Sequence, residues 1–245
     1  TRHEDTAPLT NLNMAVYDSD NDSDLRFTAA TNTLQIFANT ELHIASSTTF
    51  APLGDMTIHG NASSTAFDGS IHIAPFGILM ATASSTYTIG GSFTVGEGAT
   101  FASASTTVVM NASTTGKTVT AYTGEEIGFN TLQFNSALGG WNINGDIRAI
   151  QDVLVTQGTV SGTADITVVN GSLRGDGTLS MGSGTTTIEG TNVLGGSTPW
   201  TLNNLVLGSG VLSGTTTLGS NATTTVSGKI TISTAHFLKA GGAVL

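Results

Sequence analysis

Cysteine is absent from the 245 residues, so no disulfide staples the fold or reports a redox compartment. Charge is scarce: 10% of residues are charged, against about 25% in an ordinary globular domain. Seven basic residues (Arg2, Arg26, Lys117, Arg148, Arg174, Lys229 and Lys239) lie scattered and form no patch. With a net charge of −10 and a pI near 4.6, that scatter argues against a nucleic-acid partner, which needs a basic footprint. No apolar run approaches the ~18 residues of a membrane span, so this segment is expected outside any bilayer. Aromatics make up 6%, prolines number four, and no stretch has a convincing amphipathic helical period. Neither an initiator Met nor a signal peptide opens the chain, and Thr1 reads as a processed or excised start.

Thr, Ser, Asn and 31 Gly fill the space that charge leaves. Thr is β-branched and favours strands, whereas Gly, Asn and Asp supply the positive-φ positions of turns. A hydrophobic fraction of 38% excludes an unfolded polyelectrolyte. Two regions follow. Residues 1–30 hold one alternating stretch, "LNMAV" (Leu12–Val16), and the densest acidic run, "YDSDNDSDLR" (Tyr17–Arg26). They are expected to form a strand and an acidic loop that connect subunits or domains. Residues 31–245 are a succession of short pieces such as "ELHIA", "SIHIA", "SFTVG" and "KITIST", each alternating apolar and polar before a Gly, Asn, Asp or Ser.

Repetition is the main signal. "ASSTTF" (Ala45–Phe50) returns as "ASSTAF", "ASSTYT" and "SASTTV", with threonines at Thr48, Thr65, Thr86 and Thr106, intervals of 17, 21 and 20. "GTVSGTADITV" (Gly158–Val168) matches "GSLRGDGTLSM" at an interval of 13 and "GVLSGTTTL" at an interval of 52. "WNINGDI" (Trp141–Ile147) resembles "WTLNNLV" (Trp200–Val206) at an interval of 59. If a strand and its corner take about 6.5 residues, three make a coil of about 20, the geometry of a three-sided parallel β-helix. A right-handed coil is expected. Ile44, Phe50, Ile58, Phe67, Ile71, Ile73, Ile89 and Val95 are then stacked inward, and Ser-Thr corners turn each coil. About eleven coils at ~4.8 Å would give a rod on the order of 50 Å long. A β-sandwich is the rival, since Asn144–Gly145, Asn170–Gly171, Asp68–Gly69 and Asp176–Gly177 are hairpin signals; it does not predict coil-length intervals.

"FNTLQFNSALGGWNINGDI" (Phe129–Ile147), "DVLVTQGTVSGTADITVVNGSLRGDGTL" (Asp152–Leu179) and "TPWTLNNLVLGSGVLSG" (Thr198–Gly214) carry a further signal. This text resembles the β-helical repeats of filamentous-haemagglutinin-type and autotransporter-passenger adhesins and other repetitive bacterial cell-surface proteins. The resemblance implies extracellular display, adhesion, or assembly into a fibre or coat.

Chemistry-bearing residues are few. Asp18, Asp20, Asp22 and Asp24 alternate as calcium-loop ligands do, although Ser23 replaces the turn glycine and Ala29 the bidentate Glu of an EF-hand-like loop. A solvated acidic linker is the alternative reading of the run, but so many unpaired carboxylates in a charge-poor chain favour a reason such as calcium as strongly. His43, His59 and His72 on strand-like pieces invite a metal-binding ladder, but intervals of 16 and 13 keep no common register. Glu125, Glu126, Asp146, Asp152, Asp165 and Asp176 are carboxylates without the pairing that glycoside chemistry needs, so no enzyme is expected. Threonine triplets at Thr185–Thr187, Thr215–Thr217 and Thr223–Thr225 raise ice binding, but their starts are separated by unequal intervals of 30 and 8. Sequon triplets occur at Asn21, Asn61, Asn111, Asn170 and Asn221. The expectation is a structural subunit of an extracellular fibre, sheath or surface layer, its main partner copies of itself, with a surface glycan or another surface protein as further partners. The stalk of a larger adhesin is the alternative.

Overall fold

Alternation of apolar and polar residues over three to five positions gives each strand one buried side, and the fold is what results when those sides all turn to one axis. A computed structural model describes residues 24–27, 34–36, 41–52, 54–60, 69–81, 84–210, 213–219 and 223–241, the first two stretches by backbone only. The described residues form 27 strands and no helix. They stack in parallel as a β-solenoid of about 22 residues per turn.

The coil has three faces. On the first, a four-stranded sheet running from Asp24–Phe27 to Thr100–Ala102 is followed by a six-stranded sheet from Glu126–Phe129 to Ile230–Ile232. The second and third faces share a 17-stranded sheet, because the long strands Thr131–Ile143 and Val153–Gly162 bend round the corner between them. Strand Asp24–Phe27 pairs in register with Thr49–Pro52; residues 1–23, including Leu12–Val16, lie outside the described residues.

Register explains the sequence intervals. Ile127, Ile147, Ile166, Thr186 and Leu205 align on the first face at steps of 19 or 20. Trp141, Val160 and Leu179 align on the third face and Ser180 aligns with Thr201, which sets Trp200 three turns from Trp141 and accounts for the interval of 59. The interval of 13 links Val160 on the third face to Leu173 on the second, two strand steps rather than a turn. Turns are longer toward the ends, where Phe50 aligns with Leu79 and Leu205 with Ile230 at intervals of 29 and 25. The described residues therefore make fewer turns than eleven.

The Ser-Thr motif corrects one expectation. Ala45–Thr48 turns the chain from the third face to the first, with Ser47 at a φ of 58° and the Thr48 hydroxyl donating to the Ala45 carbonyl at 2.7 Å. Stacked on it are the corners 74–77, 96–99 and 122–125, each closed by an amide-to-carbonyl bond and each with positive φ at its third residue, Phe76, Gly98 and Gly124. Thr86 and Thr106 instead flank the corner from the first face to the second, where Ser85 and Thr106 share a hydroxyl bond of 3.0 Å. The motif is thus a corner former used at two corners, not a marker of one position per turn. Thr65 lies outside the described residues.

Ile44, Phe50, Ile58, Ile71, Ile73, Ile89 and Val95 are all buried as expected, while Phe67 lies outside the described residues. Burying each such side chain is worth about 1.5–3 kcal/mol. Midway along the rod Phe93, Phe101 and Phe129 pack as a triad with ring centroids 5.2–5.6 Å apart. Asn144–Gly145, Asn170–Gly171 and Asp176–Gly177 sit at corners between faces rather than in hairpins; every pairing among the described residues is parallel.

Candidate functional site

Strand Leu42–Ile44 buries Leu42 and Ile44 and turns His43 outward; Ile71–Ile73 does the same with His72. The two strands are neighbours on the third face, with His43 directly in register with His72. Glu41 stands two positions before His43, so it points to the same side. Its Oε1 lies 3.2 Å from His72 Nδ1 and 3.8 Å from His43 Nδ1. The two imidazoles meet edge to face at 4.8 Å between centroids, and one ligand atom from each of the three residues falls within 4.8 Å of the others. Glu41 is largely covered, His72 half-covered and His43 exposed. The outward column continues through Thr94 and Thr120, which add no ligand.

Of the three histidines considered in the sequence, two are brought together and the third is not. His59 follows strand Met56–Ile58 on the second face. Intervals of 16 and 13 hid the pair because their sum is a single turn, lengthened by the connection between Ile58 and Ile71. Glu41 was missed, although "ELH" held the signal: alternate residues of a strand share a face. Asp18, Asp20 and Asp22 lie outside the described residues, and Asp24 enters only as the first backbone position of strand Asp24–Phe27.

Four of the other candidate carboxylates, Glu125, Asp146, Asp152 and Asp165, are occupied by main chain. Asp146 Oδ1 accepts the amide of Asp165 at 2.8 Å, and Asp165 Oδ1 accepts that of Thr185 at 2.6 Å. Asp152 Oδ1 accepts the amide of Ser172 at 2.7 Å, and Ser172 Oγ in turn accepts that of Val193 at 3.0 Å. Glu125 Oε1 takes the amide of Gly98 at 2.8 Å, one turn back. These side chains act as staples from turn to turn. Glu126 lies 4.0 Å from Arg148 Nε; burial, more than the opposing pull of Arg148, holds its carboxyl above the usual range. Replacing Asp165 with Ala is expected to cost about 1 kcal/mol in urea unfolding, whereas Asp165→Asn keeps the accepting oxygen and should stay within about 0.5 kcal/mol of the parent. An equal loss in both variants would mean that charge, not the amide bond, is what matters.

The threonine triplets fall on three different faces, Thr185–Ile188 on the first, Gly214–Leu218 on the second and Thr224–Val226 on the third. Thr186 and Thr216 point inward and are buried. Thr216 Oγ1 meets Nε2 of the buried His236 at 2.9 Å, and burial lowers the pKa of that imidazole. The triplets therefore build no single threonine surface. Asn111 and Asn170 are exposed; Asn21, Asn61 and Asn221 lie outside the described residues.

Fold and surface together define the class: a three-faced parallel β-solenoid whose polar side chains mostly serve its own backbone. No family model, curated protein or solved structure matches the chain. No helix among the described residues is long and apolar enough to cross a membrane.

Proposed function

We propose that this solenoid is a structural subunit of an extracellular fibre, sheath or surface coat, assembled from copies of itself through the solenoid ends. The observation that carries the reading is the last described strand of the first face. Ile230 and Ile232 continue the columns of Leu205 and Leu207, which are 2% and 0% exposed, yet they are themselves 51% and 48% exposed. Side chains that are covered at the preceding step thus form an apolar ledge beside backbone able to pair with another strand. A second copy docking there would extend the same register. The Ser- and Thr-rich outer surface and the main-chain use of the carboxylates support a scaffold in preference to a catalyst. Within this reading Leu12–Val16 adds as a strand to a neighbouring copy, and calcium on Asp18, Asp20, Asp22 and Asp24 stiffens the joint.

Sedimentation velocity of the purified chain tests the contact. The parent is expected to form a concentration-dependent series of oligomers, and the double substitution Ile230→Asp with Ile232→Asp is expected to remove it while circular dichroism keeps the β signature. Oligomers that survive the double substitution would rule out this end as the contact.

A further inference from the structure

We infer that Glu41, His43 and His72 form a binding site for a divalent transition-metal ion of the zinc type, which clips two successive turns together. The site stands apart from the Ile230–Ile232 ledge, which lies at the opposite end of the described rod. Two imidazoles and one carboxylate are the donor set that borderline ions such as Zn²⁺, Ni²⁺ and Cu²⁺ favour, whereas Ca²⁺ takes six to eight oxygens.

The geometry is close to what such an ion needs. Metal–ligand bonds of about 2.0–2.2 Å in a tetrahedral site put ligand atoms roughly 3.4 Å apart. Glu41 Oε1 and His72 Nδ1 stand at 3.2 Å, and His43 Nδ1 lies 3.8 Å from the same oxygen. All three ligand atoms lie within 4.8 Å of one another, and rotation of the exposed His43 ring is the movement that would bring them to bonding separation. The backbone itself is fixed: Leu42, His43 and Ile44 pair residue by residue with Ile71, His72 and Ile73, and the flanking apolar side chains are buried. Three protein ligands leave a fourth position toward solvent.

The position in the fold says what the ion would do. His43 and His72 stand one turn apart in register, and that turn contains the connection from Ile58 to Ile71. Tying its two ends removes the loop-closure entropy of a long segment from the unfolded chain. The inferred role is structural, holding shut one of the longer turns of the rod.

Equilibrium dialysis of the purified full chain against zinc chloride, followed by thermal melts with and without zinc, tests the inference. Saturable binding of one ion per chain and a rise in Tm with zinc are expected. His43→Gln and His72→Gln should each weaken binding tenfold or more and abolish the Tm shift, while His59→Gln changes neither. His43 is exposed, so its substitution leaves folding intact. Absence of saturable binding would overturn the site and leave Glu41 as a simple partner of His72. Binding that survives both substitutions, or that falls equally with His59→Gln, would overturn it too.

Discussion

Phe129→Ala is expected to cost about 4 kcal/mol and to split urea unfolding into two transitions. Phe129 is fully buried, and its ring lies 5.6 Å from both Phe93 and Phe101. It belongs to Glu126–Phe129, the strand at which the six-stranded sheet begins, beside Thr100–Ala102, at which the four-stranded sheet ends. The first face is therefore two sheets meeting at a seam, and the phenylalanine triad spans it. Large-to-small replacement there loses transfer free energy and leaves a cavity, and it also loses aromatic contacts worth about 0.5–1.5 kcal/mol each. In a solenoid each turn touches only its neighbours, so stability is nearly a sum of turns and the interfaces between them. Weakening one interface near the middle lets the halves melt apart. Far-UV circular dichroism over a urea series reads both effects. A single transition with a loss under about 1 kcal/mol would show that the seam does not depend on the triad.

Gly196→Val is expected to destabilise by about 3 kcal/mol or more, a large fraction of the stability of a folded domain. A Cβ at position 196 would fall 1.5 Å from the Gly175 carbonyl oxygen and 2.5 Å from its carbon. Those are backbone atoms of the turn below, and strand spacing of about 4.8 Å leaves them nowhere to go. Gly175 carries the same constraint one step down, with a φ of 145° and the Val155 carbonyl oxygen 2.1 Å from where its Cβ would be. The matched control is Gly128→Ala. Nothing lies within 4 Å of a Cβ there and the φ is ordinary, so the change is expected to be neutral or slightly stabilising through the unfolded chain. Comparing urea midpoints of the two variants measures how closely the turns approach. Equal midpoints would contradict the stacking at Gly196.

Much of the fold was readable because its cause is periodic. Alternation in "SIHIA" or "SFTVG" states which side of each strand is apolar, and the recurrence of tryptophan at positions 141 and 200 reports three turns of one column. What the text did not disclose is where corners lengthen. Insertions leave the strands unchanged but shift every count after them, which concealed the alignment of His43 with His72. The Ser-Thr motif misled for a related reason. A tight turn with one positive φ fits any corner of the coil, so its spacing mixes two of them. Turn-to-turn staples such as Asp152 with Ser172 were invisible, because a carboxylate that accepts a backbone amide leaves no pattern in side-chain identities.

Electron microscopy of the purified full chain, first in calcium and then in chelator, tests self-assembly of the rod most directly. Filaments in calcium that shorten or disperse in chelator are the expected result, with Asp18, Asp20, Asp22 and Asp24 at the joint. Filaments indifferent to chelator would keep the polymer and remove calcium from it. Isolated short rods under both conditions would contradict the self-assembling subunit and leave the stalk of a larger adhesin as the better description of the chain.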